Sequence, residues 1–192
     1  MQSMTRHEAQ KWCSQDATGL QVTSEDILRY DGADEHKFFV AAPPEYYKIV
    51  VLTRAILLFA GEAGFSGGFI WLQRWDIGSP QLVRVGWRIL EDIRRAHGDS
   101  RSLEIAPAQL FRDDELVELH AFLAQAVGFG WLADYVACTG KFFVHFKTNG
   151  QICFTAKSAE TLQTLRTSFQ EWNPTDEDPM VLRMKSMEKQ HE

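Results

Sequence analysis

From Gly67 to Gly128 the spacing of apolar residues changes from the two-residue period of a strand to the longer period of a helix, twice over. Phe69 to Trp75 reads FIWLQRW, a run of β-formers bounded by Gly68 and by Asp76-Ile77-Gly78. Phe69, Trp71 and Gln73 face one way in such a strand, and Ile70, Leu72 and Arg74 the other. Both rows are mostly apolar, so the strand is expected to be covered on both faces. Ser79 is placed to cap the following helix, and Pro80 suits its first position, where a missing amide costs nothing. Leu82, Val85, Gly86, Ile89, Ile93 and Ala96 then recur at helical spacing, with Arg84, Arg88, Glu91 and Arg95 opposite. Glu91 with Arg95 and Arg88 with Asp92 are i,i+4 pairs of opposite charge. Gly98 is placed to stop the helix, with His97 beside it.

Ser102 to Ala106 then reads as a short strand, limited by Pro107. Asp113, Asp114 and Glu115 load the start of a second helix, where its dipole favours negative charge. Leu116, Leu119, Leu123 and Val127 form its stripe, and Gly128 ends it. Alternation of strand and helix predicts parallel β-α-β connections with right-handed crossovers.

The flanks follow the same logic. Met4 to Gln15 predicts a short helix with a thin stripe of Ala9, Trp12 and Cys13. Asp16 to Asp34 is polar and turn-rich, an arm laid on the domain, with Ser24-Glu25-Asp26 opening one helical turn. His36 to Ala42 predicts a strand stopped by Pro43-Pro44. Glu45 to Ala60 fits a helix through Ile49, Leu52, Ile56 and Phe59, although Ile49 to Leu52 also suits a buried strand; the preceding prolines favour the helix. Trp131 to Cys138 predicts a strand. Phe142 to Phe146 and Gln151 to Thr155 flank Asn149-Gly150, the signature of a two-residue type I′ hairpin turn. That turn pairs Phe146 with Cys153 and His145 with Phe154. Ser158 then caps a closing helix with a stripe of Leu162, Leu165 and Phe169. The sum is an α/β fold: a single domain with a mixed sheet of about six strands and helices on both faces. Residues 1–35 form an N-terminal arm, 36–172 the domain and 173–192 a C-terminal tail. Met180, Met184 and Met187 lie at helical spacing in that tail, which makes it a docking element for a partner.

Between Phe69 and Phe154 the order WLQRWDI, a helix, HGDSRSLEIAPAQLF, an acidic helix and GFGWLADYV resembles an uncharacterised bacterial family with WVTEWG-, HEAPGHLF- and GWDAYL-like segments. The resemblance implies a single α/β domain and supplies no activity. Where the family pattern has Gly-His, this chain has Ala108-Gln109, so any role of that histidine is absent here.

Composition narrows the function classes. A chain of 192 residues that is 45% hydrophobic can bury a full core. A net charge of -6 argues against nonspecific nucleic-acid binding, which needs basic patches. Cys13, Cys138 and Cys153 have neither disulfide-framework nor zinc spacing, so no metal or other cofactor is expected. They fit a reducing compartment. The N-terminus carries no apolar signal run, and Ile49 to Ala60 is too short and too broken to span a membrane. A cytoplasmic protein without membrane or nucleic-acid partners is expected.

The chemistry-bearing motifs are sparse. Gly64-Phe65-Ser66-Gly67-Gly68 matches G-x-S-x-G, but a strand follows it where the hydrolase elbow has a helix. The same glycines read more simply as a turn. No P-loop or dinucleotide fingerprint is present. His120 lies on the buried side of its helix and His145 on a sheet face, each either an acid-base group or a satisfied structural histidine. A Cys153–His145 pair fails on the register above, which puts the two on opposite faces. Arg84, Arg88 and Arg95 form a basic stripe that either grips an acidic partner or is solvated. Trp71 and Trp75 sit beside the glycine-rich loop as aromatic anchors. Two classes of function stand open. One is a noncatalytic binding or interaction module, contacting a protein partner or a second copy through Trp71, Trp75, Arg84, Arg88, His120 and His145. The other is a small hydrolase or transferase with a nonstandard site near Ser66, His120 or His145.

Overall fold

The computed structural model describes residues 1–15, 20–23, 28–30, 36–62, 67–75, 80–178 and 181. In chain order its elements are β1 (Gln2–Met4), α1 (Arg6–Gln15), β2 (Leu20–Val22), β3 (Leu28–Tyr30), β4 (His36–Ala41), α2 (Tyr46–Glu62) and β5 (Gly68–Arg74). There follow α3 (Pro80–Ala96), β6 (Ala108–Phe111), α4 (Leu116–Gly128), β7 (Leu132–Ala137), β8 (Phe142–Phe146), β9 (Gln151–Ala156) and α5 (Ala159–Ser168). The expected α/β class is observed, and the ambiguous segment at Glu45 to Ala60 is helical. The glycine-serine turn at Gly64 to Ser66, the Ser79 cap, the turn at Ser24 to Asp26 and the methionines of the tail lie outside the described residues.

Seven strands form one sheet in the order β1-β6-β5-β7-β8-β9-β4, and β2 and β3 pair separately. Every pairing of strands in the sheet is antiparallel. This corrects the expectation of a mixed sheet with parallel β-α-β crossovers. The long connection from His97 to Pro107 lets the chain reverse after α3, so β6 returns antiparallel beside β5. The strand also begins later than the sequence suggests. Ser102 to Ala106 is a turn, closed by the amides of Ile105 and Ala106 on the Ser102 carbonyl, each at 3.1 Å. Pro107 lacks a donor, but its carbonyl accepts from Leu72 at 3.0 Å and leads into β6.

The hairpin between β8 and β9 differs by one residue from the expected turn. Gly150 has φ +76°, while Asn149 is absent from the left-handed residues, so the turn is not type I′. Gly150 donates to the Lys147 carbonyl at 3.1 Å, and Lys147 donates to the Gln151 carbonyl at 2.8 Å. The loop is therefore Thr148-Asn149-Gly150, with glycine at its left-handed position. His145 consequently faces Cys153, and Phe146 faces Ile152. Slipping the register by one residue exchanges which side chains share a face.

One face of the sheet packs Phe38, Ile70, Leu72, Tyr135, Val144 and Phe154 under a layer drawn from α2, α3, α4 and α5. The other packs Phe69, Trp71, Val136 and Phe143 under α1 and the β2–β3 hairpin, through Ala9, Cys13, Leu20, Leu28 and Tyr30. Helices thus cover both faces. Residues read as an N-terminal arm are built into the domain: β1 is an edge strand, and α1 and the small hairpin supply half of the second core. Residues 173–178 are also tied down. Thr175 exchanges hydrogen bonds with Phe39 at 2.8 and 2.9 Å, and Asp178 accepts from Lys147 at 2.7 Å.

Helix α3 shows a rotated face. Leu90 and Arg94 are fully buried, whereas Val85 is 54% exposed and Ala96 is also exposed. Gly86 permits the close packing on that face, because a Cβ there would lie 2.8 to 2.9 Å from the rings of Trp131 and Phe129. The helix ends as predicted at Gly98, φ +82°, where Gly98 donates to Arg95 and Asp99 to Arg94 in a Schellman pattern. No helix among the described residues is long and apolar enough to cross a membrane.

Candidate functional site

Helix α2 is apolar around most of its circumference. Ile49, Leu52, Ile56 and Leu57 enter the core, yet Tyr47, Val51 and Leu58 point outward and are 65%, 52% and 57% exposed. Such a helix is expected to be covered on more than one side. Helix α4 runs beside it and exposes Leu116 at 39% and Val117 at 79%. Between them lies a groove of about 590 Å³ lined by Arg54, Leu57, Leu58, Gly61, Leu116, Val117 and His120. The two helices are held together by polar ties. His120 Nε2 donates to the Val50 carbonyl at 3.0 Å, and Gln125 donates to the Tyr46 hydroxyl at 3.0 Å. With its Nε2 proton committed to a carbonyl, His120 presents Nδ1 as its remaining acceptor.

A second constellation lies on the opposite face of the sheet. The antiparallel registers align Trp71, Asp134, His145 and Cys153 in one transverse row across β5, β7, β8 and β9. His145 Nδ1 donates to Asp134 Oδ1 at 2.7 Å. The Gln73 amide donates to the other carboxylate oxygen. Asp134 is fully buried, and burial pushes its carboxyl up; the adjacent imidazole only partly offsets this. Trp71 is also fully buried, and its indole N–H finds no partner among the described residues. The Cys13 thiol of α1 is pushed up to about 12, first by burial and then by the nearby Asp134 charge.

The remaining residues singled out by sequence are scattered. Trp75 is half-buried and meets Trp87 edge-on at 5.8 Å. Arg84 and Arg88 are exposed and, with Trp87 and Glu91, border a shallow hollow of about 360 Å³. Arg95 pairs with Asp92 at 2.7 Å and with Glu91 at 3.1 Å. The structure thus brings His120 to the groove and His145 and Trp71 to the row, but not these two groups to each other. Trp71 is a core residue rather than a surface anchor. Among the described residues no group of three His, Cys, Asp or Glu could hold a metal ion. Sequence reasoning missed Asp134, although a lone carboxylate inside LADYVA was a usable signal, because an unpaired charge is rarely buried. It also missed Arg94, whose buried guanidinium donates to Ser3 at 3.3 Å and to Asp99 at 3.1 Å. No family model, curated protein or solved structure matches the chain.

Proposed function

We propose that the protein is a noncatalytic binding module that takes an apolar helical segment of a protein partner into the α2–α4 groove. The observation that supports this most directly is the exposure of Leu58, Leu116 and Val117 around a groove of about 590 Å³. Apolar side chains grouped around a concavity mark interaction sites, and a groove between two helices suits the stripe of an amphipathic helix. Arg54 at the rim offers a contact for an acidic residue of that segment. His120 serves here as a tie between the walls, since its Nε2 is held by α2. The hydrolase or transferase reading is weaker, because His120 and His145 lie on different sides of the sheet. A cytoplasmic setting suits the proposal, as none of the three cysteines is in a disulfide.

A display library of amphipathic helical peptides, selected on the protein, tests the groove. Selected peptides should lose at least about tenfold in affinity, or about 1.4 kcal/mol, against Val117→Asp. The exposure of Val117 predicts an unchanged thermal midpoint for that variant. Binders indifferent to the substitution would move the interaction surface elsewhere. A wild-type dimer that Val117→Asp dissociates in sedimentation would assign the groove to a second copy. Serine-directed fluorophosphonates should leave Ser66 unmodified; stoichiometric labelling there would restore the hydrolase.

A further inference from the structure

The row on the second face has the parts of an activated thiol. Asp134, His145 and Cys153 occupy directly opposed positions on three adjacent strands. Opposed Cβ atoms lie about 4.5 to 5.5 Å apart, so an imidazole on the middle strand can reach both neighbours. The Asp134 contact at 2.7 Å places the proton on His145 Nδ1 and leaves Nε2 as the base. Gln73 holds the second carboxylate oxygen and fixes its plane. On β9, Thr155 Oγ1 lies 3.8 Å from Cys153 Sγ and can donate to it. The order carboxylate, imidazole, thiol is the one that activates nucleophilic cysteines on other scaffolds.

Access decides the substrate. Cys153 is 8% exposed and the His145 side chain 22%. So little exposed surface argues against a peptide or an acyl chain at the sulfur and favours a molecule of a few atoms. We propose that Cys153 is a peroxide-reactive thiol, with His145 as its base and Asp134 as the residue that positions the imidazole.

The reaction balances without a further reactant. The thiol proton passes to His145 Nε2. The thiolate attacks one oxygen of hydrogen peroxide, the S–O bond forms and the O–O bond breaks. The departing hydroxide takes the proton back from the imidazolium as water. Cysteine is oxidised to sulfenic acid and peroxide is reduced. Cys13 supplies an internal control, because its thiol is held near 12 and stays protonated at neutral pH. The inference is independent of the groove, which lies on the other side of the sheet.

The test treats the whole chain with dilute hydrogen peroxide, traps sulfenic acid with dimedone and quantifies each cysteine by mass spectrometry across pH. Among the described residues, the ionisable groups in the row of His145 are Asp134 on β7 and Cys153 on β9, with Cys13 on α1 close to Asp134 and Tyr30 on β3 against the neighbouring Phe143. Lys37 on β4 and Lys147 beyond β8, the latter bonded to Asp178, stand on the same face by strand parity. Labelling is expected at Cys153 and not at Cys13. The wild-type rate should reach its plateau below the ordinary thiol range of about 8.5. His145→Gln should slow labelling at neutral pH at least tenfold and return the midpoint to that range. Asp134→Asn should raise the midpoint as well, which a purely structural role would not do. Should either variant fail to fold, the wild-type profile still decides. A wild-type midpoint at or above the ordinary thiol value, or no adduct at Cys153 in the folded protein, overturns the proposal. So does a folded His145→Gln variant with an unchanged profile.

Discussion

Arg94 is the most demanding single residue in the fold. Its side chain is fully buried, and Asp99 is its counter-ion at 3.1 Å. Burial acts to raise the Asp99 carboxyl, but hydrogen bonds from Arg101, Ser3 and Arg94 outweigh it and hold the group well below the usual carboxylate range. A depressed carboxyl stabilises the fold above its unfolded value, and that contribution is lost as pH falls towards the folded one. Asp99→Asn should therefore cost about 3 kcal/mol at pH 7, the scale for unpairing a buried charge. The gap between variant and wild type should narrow as pH falls through about 3.9, the ordinary aspartate value. Urea melts at a series of pH values measure this; a gap that stays constant would show that Asp99 acts by shape alone. Gly150 makes a different demand. A Cβ there meets nothing within 4 Å, so only its φ of +76° resists a side chain. Gly150→Val should cost more than about 1 kcal/mol, and an unchanged thermal midpoint would refute the turn geometry.

Helix α3 shows how one small residue sets the pose of an element. Gly86 lies on its buried side with Leu90 and Arg94, and the missing side chain lets Phe129 and Trp131 approach. Gly86→Val should force those rings or the helix backbone to move and cost about 1 to 3 kcal/mol. A crystal structure of the variant should show Trp131 displaced; an unmoved ring with full stability would reassign the close approach. The β8–β9 hairpin carries more consequence for its length. One extra loop residue turns Cys153 towards His145, and the polar row exists only because of that shift.

Across the molecule, the sheet is closed on both sides by segments distant in sequence. β1 and α1 contribute an edge strand, the buried Ala9 and Cys13, and the stack of Trp12 on Phe69 at 4.5 Å. Removing residues 1–15 should strip cover from Phe69 and Trp71 and lower the thermal midpoint by roughly 10 °C or more, given about 2 to 4 °C per kcal/mol for a domain of this size. Calorimetry of the truncated chain checks this, and an unchanged midpoint would mean that the second face needs no cover. The α2–α4 side is the converse case, an apolar surface that the described part of the chain leaves open.

Much of this was legible in the residues themselves. The Ser158 cap, the Gly98 stop, the stripe of α5 and the positions of β5, β7, β8 and β9 all follow from local rules. Capping oxygens, left-handed glycines and side-chain period act over a few residues, so a few residues suffice to read them. The Asn149-Gly150 pair located the hairpin but not its loop length, because Asn-Gly serves both a two-residue turn and the end of a three-residue one. Strand direction, the buried face of α3, the burial of Trp71 and the alignment of Asp134, His145 and Cys153 were decided only by tertiary structure. Each depends on which distant segment packs alongside, and local dihedral preference carries no term for that. A one-residue change in register costs little within the loop, yet it exchanges the two faces of a strand, and the buried rows on either side select the outcome.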